Sequence, residues 1–237
     1  MAHVSAQDRS AELAERFELV PGAPQAFVRL LELLADEPSA VTSVRDPDEA
    51  VEIHIADSLT GLLVPAVASA RRIADIGAGG GLPGLVLAIA RPDAEVTLIE
   101  SVGGKADFIE RTAAELGLEN VEVMAVRAEE APSTPGFDVV TARALGSLPL
   151  VLEYAAPLLA VPGSAVAWKG SKDDEEAAAG SVAAAELGLS DPVWIPVEEG
   201  MVRGARSRHL VTSEKIASTP ERFPRRPGAA RKRPLGS

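Results

Sequence analysis

The chain has 237 residues, 46% of them hydrophobic, enough for one sizeable core or for a core with a small appendage. It contains no cysteine, which excludes a disulfide framework, a cysteine zinc site and a thiol nucleophile. The net charge of −12 argues at first against a nucleic-acid partner. No apolar run approaches the ~20 residues of a membrane helix and the opening MAHVSAQDRS lacks a secretory pattern, so a cytoplasmic protein without a membrane partner is expected.

The first part reads as helices. Leu13, Phe17 and Val20 fall on one helix face that Pro21-Gly22 ends, and Phe27, Leu30, Leu31 and Leu34 repeat the stripe up to Pro38. Asp46-Pro47-Asp48-Glu49 is a helix start: Asp46 caps, Pro47 suits the first helical position, and the acids face the positive end of the dipole. Val51, Ile55, Leu59 and Leu62 then make one apolar face, while His54 and Asp57, three apart on one helix face, are placed to pair beside Arg45.

After Arg72 strands and helices alternate. Strands are expected at 72–76, 95–100, 121–125, 137–141 and 164–169, the last following a Pro162-Gly163 turn, and helices at 83–91, 105–116, 148–159 and 172–187. Residues 193–197 and 207–213 read as a closing hairpin. Such alternation means a doubly wound, mostly parallel seven-stranded α/β sheet with helices on both faces, and ligands at the carboxyl ends of the strands. Three parts follow: a helical segment 1–70 packed on the catalytic domain, that domain at 71–216, and a basic Pro/Gly-rich tail at 217–237. From Pro220 onward the tail carries six basic residues and one acid, leaving −17 on the rest of the chain, so a phosphate-seeking tail and a merely solvated end are both open.

Ala74-Asp75-Ile76-Gly77-Ala78-Gly79-Gly80-Gly81-Leu82-Pro83-Gly84 ends the first strand and opens a helix. Glycines there turn the backbone sharply and let a ligand approach it. The G-x-G-x-x-G match at 79–84 is weak by itself. Asp75 repels a pyrophosphate but attracts the cationic amino-acid end of S-adenosylmethionine, and Pro83 removes a helix-start N–H that a phosphate would use, so S-adenosylmethionine is favoured over NAD. Gly77, Gly79, Gly81 and Leu82 are the expected cradle. Glu100 ends the second strand, 23 residues after Gly77, where an acid accepts from ribose hydroxyls. The third strand is followed by Arg127-Ala128-Glu129-Glu130, where a side chain or backbone N–H can meet the adenine edge.

Six segments together resemble the RsmG family, also called GidB: SVRDPDEAVEIHIADS at 43–58, DIGAGGGLPG at 75–84, Glu100-Ser101, FDVVTARAL at 137–145, AWKG at 167–170 and SRHLV at 207–211. The tail FPRRPGAARKRPLG resembles that of Gram-positive members. The resemblance runs from about residue 40 to the end. It implies a class I, Rossmann-like S-adenosylmethionine-dependent methyltransferase acting on N7 of one guanine in 16S ribosomal RNA. It further implies cofactor contacts at Gly77, Leu82, Ala128, Glu129 and Arg143. Two places depart from the family pattern: Ala40-Val41-Thr42 replaces N-L-T, and Val102-Gly103-Gly104-Lys105 keeps only Lys105 of a basic pair.

Guanine N7 carries no proton, so the expected transfer needs positioning and no general base. Arg143 after the fourth strand and Lys169 after the fifth are the candidates for positioning, with a structural pairing of Arg143 to Asp138 or Glu129 as the bland alternative. His54 is expected to position, not to act as a base. RNA contacts are expected from Arg45, His54, Lys105 and Lys169, from the hairpin residues Arg203, Arg206, Arg208 and His209, and from Arg222, Arg225, Arg226, Arg231, Lys232 and Arg233 in the tail. The partner is then the small ribosomal subunit or its assembly precursor, met by a monomer. Open alternatives are a small-molecule or protein methyltransferase, an NAD-binding Rossmann protein and a non-catalytic ribosome-binding factor on the same fold.

Overall fold

The computed structural model describes residues 5–38, 42–44, 46–132, 136–205 and 207–236. The alternating segments become β1 (Arg72–Ile76), α6 (Gly84–Ala90), β2 (Glu95–Ile99), α7 (Gly103–Glu115), β3 (Val121–Met124), β4 (Phe137–Arg143), α8 (Leu148–Ala155), β5 (Leu159–Lys169), α9 (Asp174–Leu187), β6 (Val193–Pro196) and β7 (His209–Glu214). Before them come α1 (Ala6–Arg16), α2 (Ala23–Asp36), α3 (Pro47–Ala50), α4 (Asp57–Leu59) and α5 (Pro65–Ser69); after them comes α10 (Ala229–Lys232). The seven strands lie in the order β3-β2-β1-β4-β5-β7-β6, with β7 antiparallel to both β5 and β6 and the rest parallel. The chain leaves β1 in one direction for β2 and β3 and in the other for β4 and β5. The carboxyl ends of β1 and β4 are therefore the switch point where a cleft opens.

Alternate side chains of each strand feed two cores. Ile73, Leu98, Val139 and Val166 pack with α1, α2, α6 and α7, while Ala74, Ile99, Val140 and Ala165 pack with α8 and α9. A strand covered on both faces is mostly apolar, and Ile73–Ile76 is wholly buried with Asp75 its one polar residue. Leu13 and Phe27 of the N-terminal helices belong to the first core, so this segment is part of the domain's packing.

Four differences from the expected elements have local causes. The α1 helix stops at Arg16 and Glu18 turns left-handed (φ 53), leaving Val20 exposed. Pro162-Gly163 does not end an element: Phe137 pairs with Leu159 and Val139 with Ser164, so residues 160–163 bulge from β5. Asp46 caps as expected, accepting from the Asp48 and Glu49 N–H groups, but Val51–Ala56 continues as a π-helix before α4 and the 3-10 turn Thr60–Leu63. Lastly, the tail docks. Phe223 and Ala230 are buried in the second core with Leu235 packed against it, because three apolar residues spaced among the cations match the surface of α8 and α9.

The Thr60–Leu63 turn passes directly over β5. A Cβ on Gly61 would lie 2.6 Å from Trp168 Cζ2, while Trp168 Nε1 donates to Asp57 O at 2.8 Å. Gly61→Ala is expected to destabilise by about 1–3 kcal/mol through overpacking. Gly104→Ala, where no atom lies within 4 Å, is expected to gain about 0.5–1 kcal/mol of helix propensity. Urea unfolding followed by tryptophan fluorescence checks both, and equal effects would contradict the close approach.

Candidate functional site

The glycine loop is fastened from two adjacent strands. Gly77 N–H donates to Ile99 O at 2.8 Å, and Gly77, Gly79 and Gly81 all take positive φ. Glu100, just past β2, accepts from Gly79 N–H (2.9 Å) through Oε2 and from Val102 N–H (2.8 Å) through Oε1. Asp75 Oδ2 accepts from Gly84 N–H at 2.9 Å, and Oδ1 accepts from the Thr141 hydroxyl at 3.0 Å. Asp75 is 0% exposed, and burial pushes its carboxyl up to about 7 against those hydrogen bonds and the field of Arg143. The expected approach of Asp75 to a ligand is thus replaced by a hold on the loop from beneath. Gly81 likewise faces Leu85, not the cleft.

The loop fits the cofactor. A Cβ on Gly79 would meet nothing nearer than Gly77 O at 3.9 Å, so the open side of the loop is free for a ligand. Gly77, Gly79, Leu82, Glu100 and Lys105 line a cleft of about 440 Å³. Beside it a cavity of about 120 Å³ is bounded by Ile99, Val126, Ala128, Glu129 and Tyr154, an apolar slot with polar edges suited to a flat base. Burial works against the Glu129 carboxylate, yet the Gly228 N–H, its own backbone and the Tyr154 hydroxyl hold it below the usual carboxylate range. Tyr154 is pushed up to about 12, by burial first and then by Glu129.

On the other side, a third cavity of about 470 Å³ is lined by Ile53, His54, Asp57, Arg143, Trp168, Lys169 and Arg208. It shares His54, Arg143 and Ala144 with the glycine-loop cleft. Ala144 is left-handed (φ 55), an uncommon conformation for a residue with a Cβ, and it turns the chain immediately after Arg143. Arg143 Nη1 donates to Ile53 O, Asp57 Oδ2 and Ser58 Oγ, each at 3.1 Å. The second Asp57 oxygen accepts from Arg208 Nε at 3.1 Å. Burial pulls Arg143 below the usual arginine value, with Asp57 opposing it.

His54 and Asp57 do not pair. The π-turn separates residues three apart, and His54 Nε2 instead lies 2.8 Å from Thr42 Oγ1, with Nδ1 buried and unpartnered. Burial and then Arg143 lower His54 to about 4, so it is neutral near neutral pH. Lys169 donates to Gly146 O (2.8 Å) and to Glu176 (2.7 Å) at the cavity edge. Neither Asp138 nor Glu129 holds Arg143, since Asp138 accepts from the Arg71 and Arg72 N–H groups. Asp57 is the partner that helical spacing misassigned.

Several expected RNA-binding cations are occupied. Arg203 pairs with Glu12 (2.7 Å) and Arg222 with Glu186 (3.3 Å). Arg225 is tied to Glu153, whose carboxylate is 1% exposed. His209 Nδ1 lies 2.8 Å from Gly170 O, and its ring meets Trp194 edge-on. Arg226, Lys232 and Arg233 remain exposed at the tail, and Arg231 lines the cofactor cleft. Arg45 and Arg206 lie outside the described residues. Among the described residues no helix is long and apolar enough to cross a membrane.

Comparison with known proteins agrees with this geometry. The family described as GidB, rRNA small subunit methyltransferase G, matches residues 24–193. A ribosomal RNA small subunit methyltransferase G from Rubrobacter xylanophilus is 43% identical over 82% of this chain and 77% of that protein. One from Deinococcus radiodurans is 39% identical over 89% and 85%. A SAM-dependent methyltransferase crystal structure from Aquifex aeolicus shares the fold, with a TM-score of 0.56 and 14% identity over 76% of this chain and 99% of that one.

The state of His54 has a measurable consequence. Its folded value lies below the unfolded one, so its contribution is present above pH 6.5 and is lost as pH falls toward 4. Relative to His54→Gln, the wild type is expected to lose about 2–3 kcal/mol between pH 7 and 4.5. Asp75 titrates alike in both proteins and cancels. Urea unfolding across that range checks it, and a pH-independent difference between the two proteins would show His54 to be solvated.

Proposed function

The chain belongs to the GidB family, rRNA small subunit methyltransferase G, and is an S-adenosylmethionine-dependent methyltransferase; on that premise we propose that it methylates N7 of a guanine in 16S ribosomal RNA. The observation that carries this reading is the junction at Arg143, where the glycine-loop cleft meets a cavity holding Arg143 and Arg208 against the single carboxylate of Asp57, with Lys169 paired to Glu176 at its edge. The excess positive charge there suits a base whose major-groove edge presents two acceptors, O6 and N7 of guanine. Contact between guanine O6 and a guanidinium N–H orients the ring while leaving the N7 lone pair free for transfer.

When bound, S-adenosylmethionine supplies an electrophilic methyl on a sulfonium. Gly77, Gly79, Leu82, Glu100, Ala128 and Glu129 would hold it, with Asp75 and Gly81 shaping the loop behind them. Arg143 and Lys169 position the acceptor; their N–H donors at the cavity wall favour one orientation. N7 has no proton to give up, and the cavity supplies no base for one. His54 is neutral with a value of about 4, and Asp57 is already shared by two guanidinium groups. The partner is the small ribosomal subunit or its assembly precursor, met by a monomer in the cytoplasm. Lys105, Arg226, Lys232 and Arg233 are the cations left to meet phosphate.

Labelled methyl transfer onto small-subunit particles from cells lacking the protein, followed by mapping of the modified base, tests the substrate. A label on a base nitrogen that must lose a proton would overturn the N7 assignment. At saturating cofactor the ratio of the wild-type to the His54→Gln single-turnover rate is expected to stay flat from pH 6.5 to 8.5, titration of Asp75 near 7 being common to both. Asp57→Asn is expected to lower that rate about 10–100-fold by loosening Arg143, with S-adenosylhomocysteine affinity within about twofold.

A further inference from the structure

The tail meets the cofactor region through backbone and side chain together. Phe223 and Ala230 are buried against α8 and α9, Arg225 is clamped on the buried Glu153, and Arg225 also donates to Arg233 O at 2.9 Å. Gly228 N–H donates to Glu129 Oε1 at 3.0 Å, which ties the tail to the rim of the apolar slot. These anchors set α10 beside the cleft so that Arg231 borders both the slot and the glycine-loop cleft. Gly77, Ser101, Leu145 and Arg231 are common to the two, so Arg231 stands where they join. Its guanidinium makes no hydrogen bond or ion pair among the described residues, unlike Arg222 and Arg225 on the same segment.

We propose that the tail is a wall of the cofactor cleft and that Arg231 is a cofactor-binding residue, contacting the purine–ribose end of S-adenosylmethionine. This rests on the placement of the cofactor between the glycine loop and Glu100. The purine–ribose end is the one that fits. Arg231 borders the slot formed with Ile99, Ala128, Glu129 and Tyr154, and a guanidinium offers flat π-stacking and several N–H donors to purine nitrogens and ribose oxygens. The three tail cations Arg222, Arg225 and Arg231 thus divide by partner: two hold the tail to the protein and one faces the ligand.

Calorimetric titration of the full-length protein with S-adenosylhomocysteine tests the proposal without RNA or turnover. Arg231→Ala is expected to weaken binding about 10-fold or more, with the ligand-free melting temperature unchanged, and Arg231→Lys to recover only part. Lys232→Ala, on the same turn, is expected to bind as wild type. Wild-type affinity in Arg231→Ala would overturn the proposal, as would an equal loss in Lys232→Ala, which would reduce the effect to net charge. Glu100→Ala separates this from the placement of the cofactor. If Glu100→Ala loses affinity while Arg231→Ala does not, only the role of Arg231 is wrong; wild-type affinity in both removes the cleft assignment itself.

Discussion

Asp57 joins the parts of the cavity that adjoins the glycine-loop cleft. Its two carboxylate oxygens accept from Arg143 at the end of β4 and Arg208 just before β7, and its backbone carbonyl accepts from Trp168 of β5. A buried guanidinium without a counter-charge costs several kcal/mol, so Arg143 can lie at the switch point only while the N-terminal helices deliver this carboxylate. One anion between two cations leaves the cavity positive. The N-terminal segment is therefore part of the site as well as part of the core, and the π-turn before Asp57 helps set where its side chain falls.

The cofactor side rests on a comparable division of labour between two acids. Asp75 and Glu100 end adjacent parallel strands, and both accept from backbone N–H groups of the loop between β1 and α6. Asp75 is also paired in register with Thr141 of β4, whose hydroxyl reaches its carboxyl, so the loop is tied across the switch point itself. Asp75, wholly buried beneath the loop, sets its shape; Glu100, also buried, holds the loop from the side that lines the cleft. An acid at the end of β1 and an acid just past β2 look equivalent in sequence; both are buried, and only Glu100 lines the cleft.

The tail shows the limit of counting charge. Six cations in an otherwise acidic chain suggest a free phosphate-seeking end, yet two of them are paired with Glu186 and Glu153 and three apolar residues among them lie against α8 and α9. The acidic body is what the basic tail first binds. Glu153, a buried carboxylate on α8, needs a partner within the molecule, and Arg225 supplies it. The positive charge of the tail that stays without an internal partner is correspondingly smaller.

Periodicity and spacing in the sequence determine the seven strands, the glycine loop that follows the first, the acid that ends the second and the N-cap at Asp46, because these depend on neighbours a few residues apart. The ordered motifs likewise carry the family. Which side chains meet was decided only by tertiary structure. Asp57 pairs with residues 86 and 151 positions away and not with His54 three away. Asp75 turns inward, and Arg225 finds Glu153 72 positions back. Desolvation drives these outcomes: a charge removed from water must take whatever partner the packed chain brings within about 3 Å, and sequence separation does not enter that energy.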